Sequence, residues 1–186
     1  MSAFLLSLVV ALIADMASRA QQTVARYTSL FGPHRGLLWI VVIAAFASAT
    51  IGMLAGRWIG DLMPVDAKQM FVAVAFVWSG IAMAWPRQAR RAEREPTRSL
   101  GAVGLVLTMQ LMLDGKLMLV ALAAFFSPAY PVAAGGAIGG VLALTLAWQF
   151  GEKITEHGVM RTGRVVAGIG VATTGLVVGL MARSLM

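Results

Sequence analysis

Apolar residues run almost without interruption from Ala3 to Ala14, and the run is then broken by Asp15-Met16-Ala17-Ser18-Arg19-Ala20-Gln21. A hydrocarbon core of roughly 30 Å needs about 20 apolar residues on a helix. The polar patch therefore starts where a bilayer interior should still hold the chain. An ionisable residue at that depth is costly and by default marks a functional site. A weaker counterpart, Gln110-Leu111-Met112-Leu113-Asp114-Gly115-Lys116, interrupts a second apolar run in the later half.

The same pattern predicts six helices. The first covers about Ala3 to Thr28 and is stopped by Gly32-Pro33; the second covers Gly36 to Leu62, before Pro64. The third covers Ala67 to Trp85, and the charged stretch Arg87 to Arg98, which lacks any hydrophobic pattern, is a loop. Helices over Leu100 to Phe126, Pro131 to Phe150 and Gly163 to Arg183 complete the set. The expected units are a three-helix repeat (residues 1–86), a linker (87–98) and a second three-helix repeat (99–186). Each repeat has a polar patch in its first helix, small residues in its second and a plain apolar third. Three spans are an odd number, so the second repeat enters the membrane from the opposite side. That is the inverted-repeat plan of secondary transporters, with the substrate between repeats near the midplane and one repeat rocking against the other.

Composition sharpens this picture. Of 186 residues 59% are hydrophobic and 12% charged, with a mean hydropathy of +0.82, too little polar material to cover a soluble domain. The expected fold class is an all-α integral membrane protein with six transmembrane helices as two inverted three-helix repeats. There is no cysteine, which excludes disulfides and thiolate metal sites. The net charge of +7 lies between the apolar segments, so it speaks for topology and not for a nucleic-acid partner. Arg26, Arg35, Arg87, Arg90, Arg91, Arg94, Arg98, Lys153, Arg161 and Arg164 fall on one side, against Arg57, Lys68 and Arg183 on the other. The positive-inside rule then puts the linker in the cytoplasm and both termini outside, in a bacterial-type inner membrane. Trp39, Trp58, Trp85 and Trp148 fall near predicted helix ends, as an interfacial belt requires; Trp78 does not. Met1-Ser2-Ala3-Phe4 has no positive flank, so the first segment is expected to remain as a helix.

On an unbroken helix Asp15, Ser18, Arg19, Gln22 and Arg26 form one polar stripe turned away from lipid. Such a stripe could be a cation or proton pathway with Asp15 as ligand, or an Asp15–Arg19 ion pair that only fixes packing. Gln110 and Asp114 share a face of the fourth helix, while Lys116 points elsewhere. Asp114 either joins Asp15 in an oxygen-rich site or is neutralised by Arg19 or Lys116. Glycines at four-residue spacing (Gly52, Gly56 and Gly60; Gly135 and Gly139; Gly175 and Gly179) are expected to let helices approach closely. The twelve methionines are scattered without a ligand-like cluster, and His34 and His157 lie in loops. No nucleotide loop, nucleophile–base pair or zinc motif is present, so neither an enzyme nor a cofactor is expected.

These residues resemble a known family: the six-helix manganese/calcium cation exchangers named for the Gcr-one-dependent translation factor, within the lysine-exporter superfamily. That family carries Glu-apolar-Gly-Asp-Lys/Arg-Ser/Thr, often followed by Gln, once in each repeat. Asp15 stands at its glutamate, Ser18 at its aspartate, Arg19 at its basic residue and Gln21 at its glutamine. Anchored on Ala121-Leu122-Ala123-Ala124, the second copy puts Gln110 at the glutamate, Leu113 at the aspartate, Asp114 at the basic residue and Lys116 at the glutamine. Val132 to Ala143 is similar to the family's glycine-rich fifth helix.

The resemblance implies a Mn²⁺ or Ca²⁺ transporter, with proton exchange compatible. Asp15 and Asp114 would be the metal ligands or proton carriers, Ser18, Gln21, Gln22 and Gln110 the polar support, and Arg19 and Lys116 the balancing charges. The two acids and two bases cancel, whereas hard dications favour several oxygens including carboxylates. Two alternatives therefore stay open: a non-transporting relative that acts as a partner or regulator, and an exporter of a small zwitterionic solute. Lipid and an inorganic cation or small solute are the expected partners, and a homo-oligomer is compatible with them.

Overall fold

The computed structural model describes residues 2–16, 18–84, 100–114, 116–126, 128–151 and 158–184, and the secondary structure among them is helical. In order these are α1 (Ser2–Asp15), α2 (Arg19–Phe31), α3 (Arg35–Leu62), α4 (Val65–Ala84), α5 (Leu100–Asp114), α6 (Lys116–Phe125), α7 (Tyr130–Phe150) and α8 (Gly158–Ser184). Four of them are long and apolar enough to cross a membrane, and the number rises to six if the bent pairs α1–α2 and α5–α6 each count as one span. Exposed Leu5, Val9, Ile43, Leu54, Trp78 and Leu180 leave the outside of the bundle apolar, as hydrocarbon contact requires.

The largest departure from the sequence expectation is in the first and fourth predicted helices. Neither is continuous. The chain turns by 61° between α1 and α2, and by 62° between α5 and α6. Ser18 explains the first break. Its backbone is extended (φ −70°, ψ 166°) and its side chain accepts a hydrogen bond from Gln21 N at 3.1 Å, so it caps α2 instead of continuing α1. Serine competes with helix hydrogen bonding in this way wherever the chain can start a new helix. Elsewhere the ends follow ordinary punctuation. Gly32 and Gly151 take positive φ values of 78° and 57°, and His34 Nδ1 caps α3 by accepting Leu37 N at 3.1 Å.

α3 ends at the Met63-Pro64 turn, so the bundle has a His34 end and a Met63 end. Gly135 of α7 packs on Phe4 and Ser7 of α1, and Gly56 and Gly60 of α3 pack on Val120, Ala123 and Ala124 of α6. These contacts put the start of α1 and the end of α6 at the Met63 end. At the His34 end Trp148 Nε1 donates to His34 O at 3.2 Å, and Gly151 lies against Ser29.

The two halves interlock. α1 and α2 pack on α7, α5 and α6 pack on α3, α3 packs on α7, and α4 packs on α8. Among the described residues, α3 makes no substantial contact with α1, α2 or α4 of its own half. Among the described residues the two halves of the chain thus form one entwined bundle. Among the described residues α8 joins that bundle chiefly through α4, with Gly80 against Gly168 and Ala172, and Gly175 against Ala73 and Phe76.

Candidate polar site at the helix breaks

Two apolar clusters are stacked along the bundle axis. One, mostly nearer the Met63 end, is built from Val10, Ala11 and Ala14 of α1, Met53 of α3, Met118, Leu119 and Leu122 of α6 and Val132 of α7, and extends along α4 through Phe76 and Met83. Toward the His34 end, the other is built from Ala20, Val24 and Ala25 of α2, Leu37, Val41 and Ala44 of α3, Val103, Leu107 and Leu111 of α5, and Leu144 and Ala147 of α7. Along each chain segment the gap between clusters falls at the same level: Asp15 to Arg19, the middle of α3, and the α5–α6 break. Asp15 (1% exposed), Ser18, Gln21 and Ser48 (each 0%) are the buried polar residues of that gap.

Asp15 ends α1 and is buried. Gln21 is buried, and its Nε2 donates to Ala143 O of α7 at 2.8 Å, tying the two halves together. Gln22 is only half-buried, whereas Arg19 and Arg26 are exposed. The single inward polar stripe is thus corrected. The buried face of α2 is Ala20, Gln21, Val24, Ala25 and Thr28, and Arg19, Gln22 and Arg26 lie off it. The side chains of Leu113, Asp114 and Lys116, and the linker with Trp85, lie outside the described residues, as does His157. Among the described residues no group of three or more His, Asp or Glu side chains could hold a metal ion.

Thr23 was missed by the sequence reading. Its Oγ1 lies 2.9 Å from both Arg19 O and Gln110 Oε1 of α5. One hydroxyl carries one proton, so it cannot donate to both acceptors. Turning the Gln110 amide, so that its nitrogen donates to Thr23 while Thr23 donates to Arg19 O, satisfies every group. A threonine between Gln22 and Val24, at the edge of the alanine–valine face, was the available signal.

The breaks also align the two halves differently from the motif. Asp15 is the last residue of α1 and Asp114 the last of α5; Arg19 is the first of α2 and Lys116 the first of α6. Each acid therefore sits at the carbonyl end of a half-helix and each base at the amide end of the next, the reverse of what helix dipoles favour. A helix breaks this rule at a cost of roughly 0.3–1 kcal/mol per charge. Ser18 offsets part of that cost at α2. Replacing it with alanine is expected to lower stability by about 1 kcal/mol in detergent melting, whereas Ser18→Thr should keep most of it.

No family model matches this chain, and neither a curated protein nor a solved structure matches it.

Proposed function

We propose that the chain is a secondary transporter of six spans in two inverted repeats, carrying a small cation through the polar layer between the two apolar clusters. The observation that carries this reading is Asp15, a buried carboxylate at a break in a membrane-length helix. Its charge and the carbonyl end of α1 add their negative potential at one point, and broken helices in transporters use such carbonyl ends to hold cations. Apolar side chains close the layer from both ends, which fits an occluded state. The repetition of the break in the second half, with Asp114 closing α5, supports the inverted-repeat reading.

Mn²⁺ or Ca²⁺ is the proposed cargo, exchanged for protons, with Asp15 and Asp114 as ligands and Ser18, Gln21, Gln22 and Gln110 supplying neutral oxygens. The linker would lie on the cytoplasmic face of a bacterial-type inner membrane. One observation favours a second cargo, a small zwitterion. Both breaks set an acid at the end of one helix and a base at the start of the next, Asp15 before Arg19 and Asp114 before Lys116, and such a layer can match separated charges of both signs.

The test is Mn²⁺ and Ca²⁺ flux in proteoliposomes with an imposed pH gradient. Uptake above empty liposomes, with collapse of the gradient, is the expected result. Folded protein that moves neither ion would remove the divalent-cation reading, and counterflow of a zwitterionic amino acid would then decide for the second cargo.

A further inference from the structure

We infer that the groove between α3 and α5 is a lipid site, taking one acyl chain of an anionic phospholipid with its phosphate beside Arg35. The inference rests on the membrane reading and not on transport.

Corresponding helices of the two halves pack in different ways. α1 lies directly on α7: a Cβ at Gly135 would overlap Phe4 O, and one at Gly139 would overlap Leu8 O. In the proposed repeat α5 takes the place on α3 that α1 takes on α7. There a groove of about 370 Å³ remains, between Gly36, Ile40 and Ile43 of α3 and Gly101, Gly104 and Thr108 of α5. Its volume lies in the range of small-ligand clefts.

The lining selects the chemistry. Thr108 is the polar side chain among these residues, and its Oγ1 donates to Gly104 O of its own helix at 2.8 Å. That bond uses the single proton of the hydroxyl, so a polar solute would lose its hydration for little return. A hydrocarbon chain has no such cost. Ile43 is 63% exposed, which leaves the groove open on the side where acyl chains lie. Between Gly36 and Ala44 it follows α3 for about 12 Å, most of the hydrocarbon depth of one leaflet. A helix about 10 Å across would need roughly 900 Å³ over that length, so the groove suits a single chain and not a helix of a second copy.

Charge selects the lipid. The groove begins in the first turn of α3, where Arg35 precedes Gly36 and is exposed. Backbone N–H groups of a first turn have no acceptor within their helix, and His34 Nδ1 accepts that of Leu37. A guanidinium and the amide end of a helix both favour an anion at this level. Trp39, 66% exposed and three residues further on, suits the same interfacial depth.

The test uses the full chain in phosphatidylcholine nanodiscs. A small fraction of phosphatidylglycerol or phosphatidylcholine carries a diazirine near the end of one acyl chain, and labelled peptides are mapped by mass spectrometry after photolysis. Label should concentrate on the groove residues of α3 and α5 over the exposed Leu176 and Leu180 of α8. Phosphatidylglycerol should label the groove roughly five-fold more, the factor that one basic residue contributes near an anionic surface. Arg35→Gln should bring the two lipids level. Gly104→Leu and Ile43→Trp narrow the groove from its two walls, and each should lower groove labelling by both lipids while leaving that of α8 unchanged. Ile43→Cys, then the chain's one thiol, should stay monomeric on oxidation. Even labelling of all exposed faces would overturn the inference, as would a lipid preference that survives Arg35→Gln. A disulfide-linked dimer through Ile43→Cys would place a second copy in the groove and overturn it too. Label on none of the helices would overturn the membrane reading itself, and with it this site. Photolysis needs no transported ion, so absent cation flux bears on transport alone.

Discussion

Under the proposed transport function, Asp15→Asn is expected to lower cation flux by roughly 100-fold or more and to melt close to the parent protein. The two halves of this expectation come from different physics. A neutral amide keeps the shape of the carboxylate but supplies no charge to a hard cation, whose sites depend on carboxylate oxygens. Asparagine also matches aspartate in volume and shape, so the packing of this side chain, 1% exposed at the end of α1, is kept. A structural acid behaves otherwise, because neutralising it strands its basic partner and lowers stability. Flux and detergent melting of the same preparation therefore separate the roles. Intact flux, or flux lost together with several degrees of melting temperature, would remove Asp15 from the transport site.

Gly56→Val is expected to cost the fold about 3 kcal/mol or more, enough to prevent a monodisperse protein in detergent. Cβ alone would overlap Val120 O and Ala123 Cβ across the α3–α6 contact, and valine adds two further carbons. Rotamers offer no escape, because the obstacle is backbone. Gly163 and Gly170 of α8 supply the control, since a Cβ at either meets nothing within 4 Å. Gly170→Val should melt close to the parent protein. A Gly56→Val protein that melts with the parent would show that α3 and α6 do not approach as closely as their glycines allow.

The apolar segments were legible because hydropathy is written locally, and the helices begin and end within a few residues of the expected positions. The breaks were not. Periodicity assumes a straight helix, and Ser18 reads equally well as a polar residue within one helix or the cap of the next; only the fold around it decides. That ambiguity misdirected the polar stripe. Ala20, Val24 and Ala25 do mark the buried face of α2, and they select Gln21 over Gln22, but charge drew attention to Arg19 and Arg26 instead. Glycine spacing announced close packing at Gly56 and Gly135, yet nothing local says that one meets α6 and the other α1. Thr23 became visible only through Gln110, 87 residues away along the chain.

The entwined arrangement of the halves also governs how the molecule is made. When the ribosome has released α1 to α4, the helices that make their substantial contacts among the described residues, α5 to α8, are still to come. The faces at Gly56 and Gly60 await α6, and the amide of Gln21 awaits a carbonyl 122 residues downstream. A nascent chain at this stage presents a carboxylate and an amide to the membrane with no partner helix beside them. The packing of the first half therefore waits on helices that follow it along the chain, up to α7 and α8.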